Sequence, residues 1–149
     1  MWPFIKYDKN AEVIKAEYLR SVFLNLGFKI VNLRDENYLL LSRKGMRALV
    51  QNYRDTGYFL YKKDFPDCDD FALWTKSDVG KGAAIEQLQF HPVFSYAKVR
   101  LKSGIENHGL NIALVKDKGS IYTDTDVFHP QNNRWGKWDE IEEKHEIEI

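Results

Sequence analysis

The order of apolar periodicities predicts an α+β fold, with helix-spaced segments in the first half and strand-like alternation in the second. Three observations carry this. Ala11 to Leu26 places Val13, Ile14, Leu19, Val22, Phe23 and Leu26 on one broad apolar face, with Asn10 as a cap and Gly27 as a stop. Ser42 signals a second helix through about Gln51, and Asp67 or Cys68 a third through about Lys76. Late in the chain, Gly109 to Val115 and Ile121 to Phe128 flank the turn residues Asp117-Lys118-Gly119, which reads as an antiparallel hairpin. The expected architecture is N-terminal helices packed on a small antiparallel sheet.

Each remaining segment fits that frame. Phe28 to Leu33 alternates like a short strand, Arg34 to Asn37 is a polar turn and Tyr38 to Leu41 is apolar. The second helix carries Met46, Leu49 and Val50, although Gly45 weakens it by up to ~1 kcal/mol relative to Ala. Tyr58 to Tyr61 is an aromatic stretch, and Pro66 stops any helix before the third one. That helix turns Phe71, Ala72 and Trp74 inward, and Gly80-Lys81-Gly82 should break it. Val93, Tyr96, Val99 and Leu101 suggest a strand, and Trp135 and Trp138 pack the end of the sheet. Glu140 to Ile149 reads as a charged tail that frays. The expectation is one domain over 1–149: a helical part at about 10–80, a sheet part at about 90–138 and the tail at 139–149.

Composition narrows the function classes. The 149 residues are 44% hydrophobic and 14% aromatic, which argues against disorder. Lys plus Arg equals Asp plus Glu at 22 each, so no basic excess points to nucleic acid. No apolar run approaches a membrane span, and Met1 to Lys6 lacks the order of a signal peptide. A single cysteine makes no internal disulfide. The expected setting is cytoplasmic by default, without nucleic-acid or membrane partners.

That cysteine, Cys68, lies where a loop opens into a helix, in the run Phe65-Pro66-Asp67-Cys68-Asp69-Asp70-Phe71-Ala72. Unpaired N–H groups in a first helical turn favour a thiolate and can donate to an oxyanion. Three neighbouring acids oppose the thiolate unless the fold turns them away. An imidazolium beside the sulfur is then required, and of the four histidines His108 is the one that opens a buried-looking strand. Folding the hairpin about Lys118 brings His108 near Val127 or Phe128. Asp126 is then the nearest carboxylate for orienting the imidazole, with Asp124 one alternation further away. The plainer readings are a small buried cysteine, a satisfied strand-edge histidine and solvent-facing acids.

Asp67-Cys68-Asp69-Asp70-Phe71-Ala72 and His108-Gly109-Leu110-Asn111 resemble motifs of the papain-like and transglutaminase-like superfamily. The nearest resemblance is to the cysteine-protease domain appended to a fungal agglutinin and to its small bacterial and phage-like relatives. The third motif departs: the family tends to a glutamate followed by proline and glutamine, whereas this chain has Asp126-Val127, and its Pro130-Gln131 follows His129. The resemblance implies hydrolysis of an amide or peptide bond in a peptide or protein substrate. Cys68 would carry an acyl-thioester, His108 would shuttle the proton and Asp126 or Asp124 would orient it. It also implies calcium, for which Asp67, Asp69 and Asp70 offer oxygen ligands. Acids at a helix N-terminus need no metal, so no cofactor is expected. The alternatives are a transglutaminase-like acyl transferase with the same residues and a catalytically inactive papain-fold binding domain, with Tyr53, Tyr58, Tyr61, Trp135 and Trp138 as its surface.

Overall fold

The computed structural model describes residues 11–54, 67–116 and 123–149. Among these the elements run β1 (Glu12–Lys15), α1 (Ala16–Asn25), β2 (Ile30–Asn32), β3 (Asn37–Leu40), α2 (Arg43–Tyr53), α3 (Cys68–Ile85), β4 (Tyr96–Leu101), β5 (His108–Lys116), β6 (Thr123–His129), β7 (Arg134–Gly136) and β8 (Ile141–Glu148). A short 3-10 turn, Trp138–Glu140, precedes β8. β1 and β3 form a two-stranded ribbon, and the other strands form a six-stranded sheet in the order β2-β8-β4-β5-β6-β7. β2 runs parallel to β8, and the other neighbours are antiparallel.

This overturns the expected arrangement of helices on a small antiparallel sheet. Among the described residues, strands outnumber helices eight to three, they begin before the first helix, and the larger sheet is mixed. Two local corrections explain the difference. Val13 and Ile14, assigned by periodicity to a helix, pair with Leu39 and Tyr38 in the ribbon, so α1 starts only at Ala16. The charged C-terminal segment does not fray. It is inserted as β8 between β2 and β4, with Ile141, Ile147 and Ile149 buried. Tyr38 locks it there: its hydroxyl accepts from the Asp35 N–H at 3.0 Å and faces the Ile149 carbonyl at 3.4 Å. The charges of β8 lie outward, where Arg34 meets Glu148 at 2.7 Å.

β5 separates two apolar cores, and His108 to Val115 are all buried. Leu110, Ile112 and Leu114 pack with Leu19 and Phe23 of α1 and with Ile147 of β8. Ala113 and Val115 pack on the other face with Met46, Leu49 and Val50 of α2, Val79 and Ala83 of α3, and Phe128 of β6. The period-two alternation of a strand thus sends successive side chains into different cores.

The α2 start follows its sequence signal: Ser42 Oγ accepts from the Gly45 N–H at 3.0 Å. α3 begins at Cys68 but runs on through Gly80-Lys81-Gly82, where a break was expected. The glycines serve close packing rather than termination. A Cβ on Gly82 would lie 2.3 Å from Tyr53 Cγ and 2.8 Å from Tyr53 Cβ. The far end of that ring is held too, since the Tyr53 hydroxyl donates to Glu86 Oε1 at 2.6 Å. Gly82→Ala gains up to ~1 kcal/mol of helix propensity. The clash at the root of Tyr53 outweighs this, because forced overpacking costs ~1–3 kcal/mol. Urea unfolding of Gly82→Ala should show a net loss of stability, and a gain would show that α2 and α3 are less tightly opposed than described.

Candidate functional site

The first turn of α3 shows where the three acids go. Asp67 is the N-cap, and Asp70 Oδ2 reaches back to accept from the Asp67 N–H at 3.1 Å. These two stabilise the start of the helix rather than face the sulfur. Asp69 does face it: Cys68 Sγ lies 3.8 Å from Asp69 Oδ1. The sulfur also accepts from the Gly109 N–H at 3.4 Å. Cys68 is therefore satisfied as a neutral thiol, donating to a carboxylate and accepting from an amide. Burial raises its pKa, and the Asp69 and Asp67 charges add to the rise against the Gly109 amide. Burial also raises the Asp69 pKa, while Lys98 lowers it. Among the described residues no three acid, histidine or cysteine side chains are grouped to hold a metal ion.

α3 docks on β5 through a close backbone approach. A Cβ on Gly109 would lie 2.6 Å from Asp69 Oδ1 and 2.9 Å from the Cys68 carbonyl oxygen. Two residues on, the fully buried Asn111 donates from Nδ2 to the Ala72 and Ser95 carbonyls, each at 2.8 Å, and its Oδ1 has no partner. Gly109 and Asn111 thus face α3. His108 has the parity of Leu110, Ile112 and Leu114, so alternation sends its ring to the opposite face. No hydrogen bond joins the Cys68 sulfur to the His108 ring.

The His108 ring packs instead on His129, with centroids 5.8 Å apart and planes tilted by 33°. Burial lowers the His108 pKa to about 4, with further lowering from His129 and Arg134. It is a neutral imidazole at pH 7. His129 ends β6, and its Nε2 is 3.2 Å from Glu140 Oε2, close but poorly aligned for a hydrogen bond. Gly136 makes room, since a Cβ there would lie 2.8 Å from His129 Nε2. Arg134, followed by the Lys137 N–H, lowers the Glu140 pKa to about 2. Choosing among the four histidines by the strand that each opens passes over His129, which closes one. The signal it missed was the continued alternation Val127-Phe128-His129, which carries the strand one residue further.

The two carboxylates chosen for His108 are elsewhere. Asp126 pairs in register with Ala113, and Val127 and Phe128 pair with Ile112 and Asn111 rather than with His108. The expected turn, Asp117-Lys118-Gly119, lies outside the described residues. Asp126 is 3% exposed and accepts from Arg47 Nε and Nη2, both at 2.8 Å. Asp124 accepts from Arg43 at 2.5 Å. Both acids serve as anchors for α2. Of the expected aromatic surface, Tyr53 is packed on Gly82, Trp135 stacks near Phe128 at 4.8 Å, Trp138 meets Phe28 at 6.2 Å, and Tyr58 and Tyr61 lie outside the described residues.

No family model matches the chain. Two solved structures share its fold. One, titled PSL1a-E64 complex, superposes with a TM-score of 0.70 at 22% identity, covering 95% of this chain and 51% of that one. The other is Polyporus squamosus lectin bound to the human-type influenza-binding epitope Neu5Aca2-6Galb1-4GlcNAc, with a TM-score of 0.64 at 22% identity, covering 93% and 50%. A Methanocaldococcus jannaschii protein described as "Putative alpha-amylase" is 30% identical over 92 residues, 51% of this chain and 20% of that protein. The chain spans about half the length of the solved structures it matches. These findings correct the family expectation: the fold is shared with a lectin, neither title names a peptidase, and the papain-like assignment is not upheld. The descriptions that came with it, cysteine protease, hydrolase and catalytic triad, are withdrawn. Among the described residues no helix is long and apolar enough to cross a membrane.

Burying His108 neutral has a stability signature. Its folded pKa is depressed to about 4 from an ordinary 6.5, so the unfolded chain binds more protons between those values. That contribution is complete above about pH 6.5 and is lost as pH falls toward 4. Between pH 7 and pH 4.5 the native chain should lose about 2–3 kcal/mol more than His108→Gln, read from denaturant midpoints. Equal losses in the two proteins would show that the ring is not held neutral.

Proposed function

We propose that the chain is a ligand-binding domain that does no chemistry at Cys68, and that its ligand is a saccharide. The observation that carries this is that each residue catalysis would need already has other partners. Cys68 is satisfied as a thiol by Asp69 and Gly109. His108 is uncharged and packed on His129, and Asp126 and Asp124 are held by arginines. A nucleophile needs its thiolate and a base beside it; burial and the Asp69 and Asp67 charges favour the thiol, and the His108 ring packs on His129. The saccharide class is supported by the shared fold with a lectin whose title names a bound trisaccharide.

A second reading has one specific observation in its favour. Cys68 is the first residue of α3 and receives the Gly109 N–H, two features that also suit a sulfur anion. On this reading Cys68 takes an acyl group from an amide, the C–N bond breaks, and the amine leaves with the thiol proton relayed by a reoriented His108.

Two measurements separate the readings. The labelled chain should bind glycans on an array, and Cys68→Ala should bind the same ones. Iodoacetamide should label Cys68 more slowly than free cysteine at pH 7. Labelling faster than free cysteine, with no glycan bound, would overturn the binding reading in favour of the covalent one.

A further inference from the structure

His108 and His129 are both buried, and their rings face each other with centroids 5.8 Å apart. The segment from Arg134 to Glu140, which is β7 and the 3-10 turn, covers this pair. A Cβ on Gly136 would lie 2.8 Å from His129 Nε2 and 2.6 Å from Glu140 Oε1, so no water fits between the strand and the ring. The segment is closed on itself: Glu140 accepts from the Lys137 N–H at 2.9 Å and from Arg134 Nη2 at 3.1 Å. Its two ends are anchored. Arg54 holds the turn before it, donating to Asn133 Oδ1 at 2.6 Å and to the Pro130 carbonyl, and Ile141 after it is buried in the core. Between these anchors β7 is an edge strand, paired with β6 alone among the described strands.

Arg134 and Glu140 are the fixed charges that act on the rings. β4 places Val99 opposite His108, and its next residue, Arg100, is engaged by Glu106, Glu142 and Glu143. α3 brings Cys68 and Asp69 to Gly109 rather than to the rings. Burial lowers the pKa of both histidines, that of His108 to about 4. Glu140 can meet one proton, through its oxygen 3.2 Å from His129 Nε2. A second proton finds no further carboxylate, and Arg134 repels both. Lifting the segment lets water reach the rings and carries Arg134 and Glu140 away as a neutral pair. The closed form binds fewer protons than the open one, so falling pH favours the open one.

We propose that the segment from Arg134 to Glu140 is an acid-released strap, which lifts from β6 when both histidines are protonated. Trp135 leaves with it. Its ring then gives up Phe128, at 4.8 Å, and uncovers the Arg47 guanidinium, also 4.8 Å away. β5 and β6 stay in place, because the buried residues of both cores lie outside the strap. The device is independent of what the chain binds.

Hydrogen exchange of the full chain, followed by NMR at pH 7 and about pH 4 and corrected for intrinsic rates, reads the strap directly. At the lower pH the Trp135 and Gly136 amides should lose about tenfold or more of their protection, while Leu110 and Ile112 keep theirs. With His108→Gln and His129→Gln combined, the loss should fall below about twofold. In the unmutated chain the Trp135 indole N–H should shift along the same curve as the His108 ring, which keeps the test valid where the variant misfolds. Rings that titrate while the Trp135 signals stay unchanged would overturn the strap. Loss of protection at Leu110 and Ile112 together with Trp135 would overturn it too, as unfolding of the whole sheet, and so would an equal loss in the double variant.

Discussion

The burial of β5 on both faces is the constraint on which the rest of the structure depends. A strand with a core on each side cannot slip by one residue, because every side chain would exchange cores. Leu110, Ile112 and Leu114 are committed to the α1 side by their packing with Leu19 and Phe23. Ala113 and Val115 are committed to the α2–α3 side. That commitment fixes everything at the N-terminal end of the strand. Gly109 and Asn111 must meet α3, and His108 must turn away from it. The same register carries Asp126 to α2 and brings His129 to His108.

Charge is handled consistently around this strand. Asp67 and Asp70 support the start of the helix, Asp126 and Asp124 hold α2, and Glu140 is held by Arg134. Acids crowding a thiol would destabilise its anion, and the fold does not ask for one: Sγ has a carboxylate to donate to and an amide to accept from. Burial lowers the pKa of both His108 and His129, and Arg134 adds to each.

Local signals were legible where local physics decides the outcome. Ser42 caps α2, Cys68 opens α3, and the alternations of β4, β5 and β6 mark strands. What was not legible depends on contacts distant in sequence. Val13 and Ile14 fit a helical stripe equally well, and only Tyr38 and Leu39 make them a strand. Gly80 and Gly82 look like breakers until Tyr53 and His91 are found against them. The charged C-terminal segment looks solvated until Arg34 and the outer face of β4 are placed beside it, leaving its isoleucines to fill the core. The hairpin register failed by about three residues, and that error alone assigned Asp126 to His108. The resemblance rested on short motifs whose residue types are present and whose side chains are committed to other partners.

The Cys68 sulfur and the His108 ring are committed to different partners, Asp69 and Gly109 for the one and His129 for the other. The most direct measurement is the NMR titration of the His108 ring in the native chain and in Cys68→Ala. The account predicts a midpoint near 4 in both proteins, governed by burial, His129 and Arg134. A midpoint that moves when the thiol is removed, or one near 7 in the native chain, would contradict it.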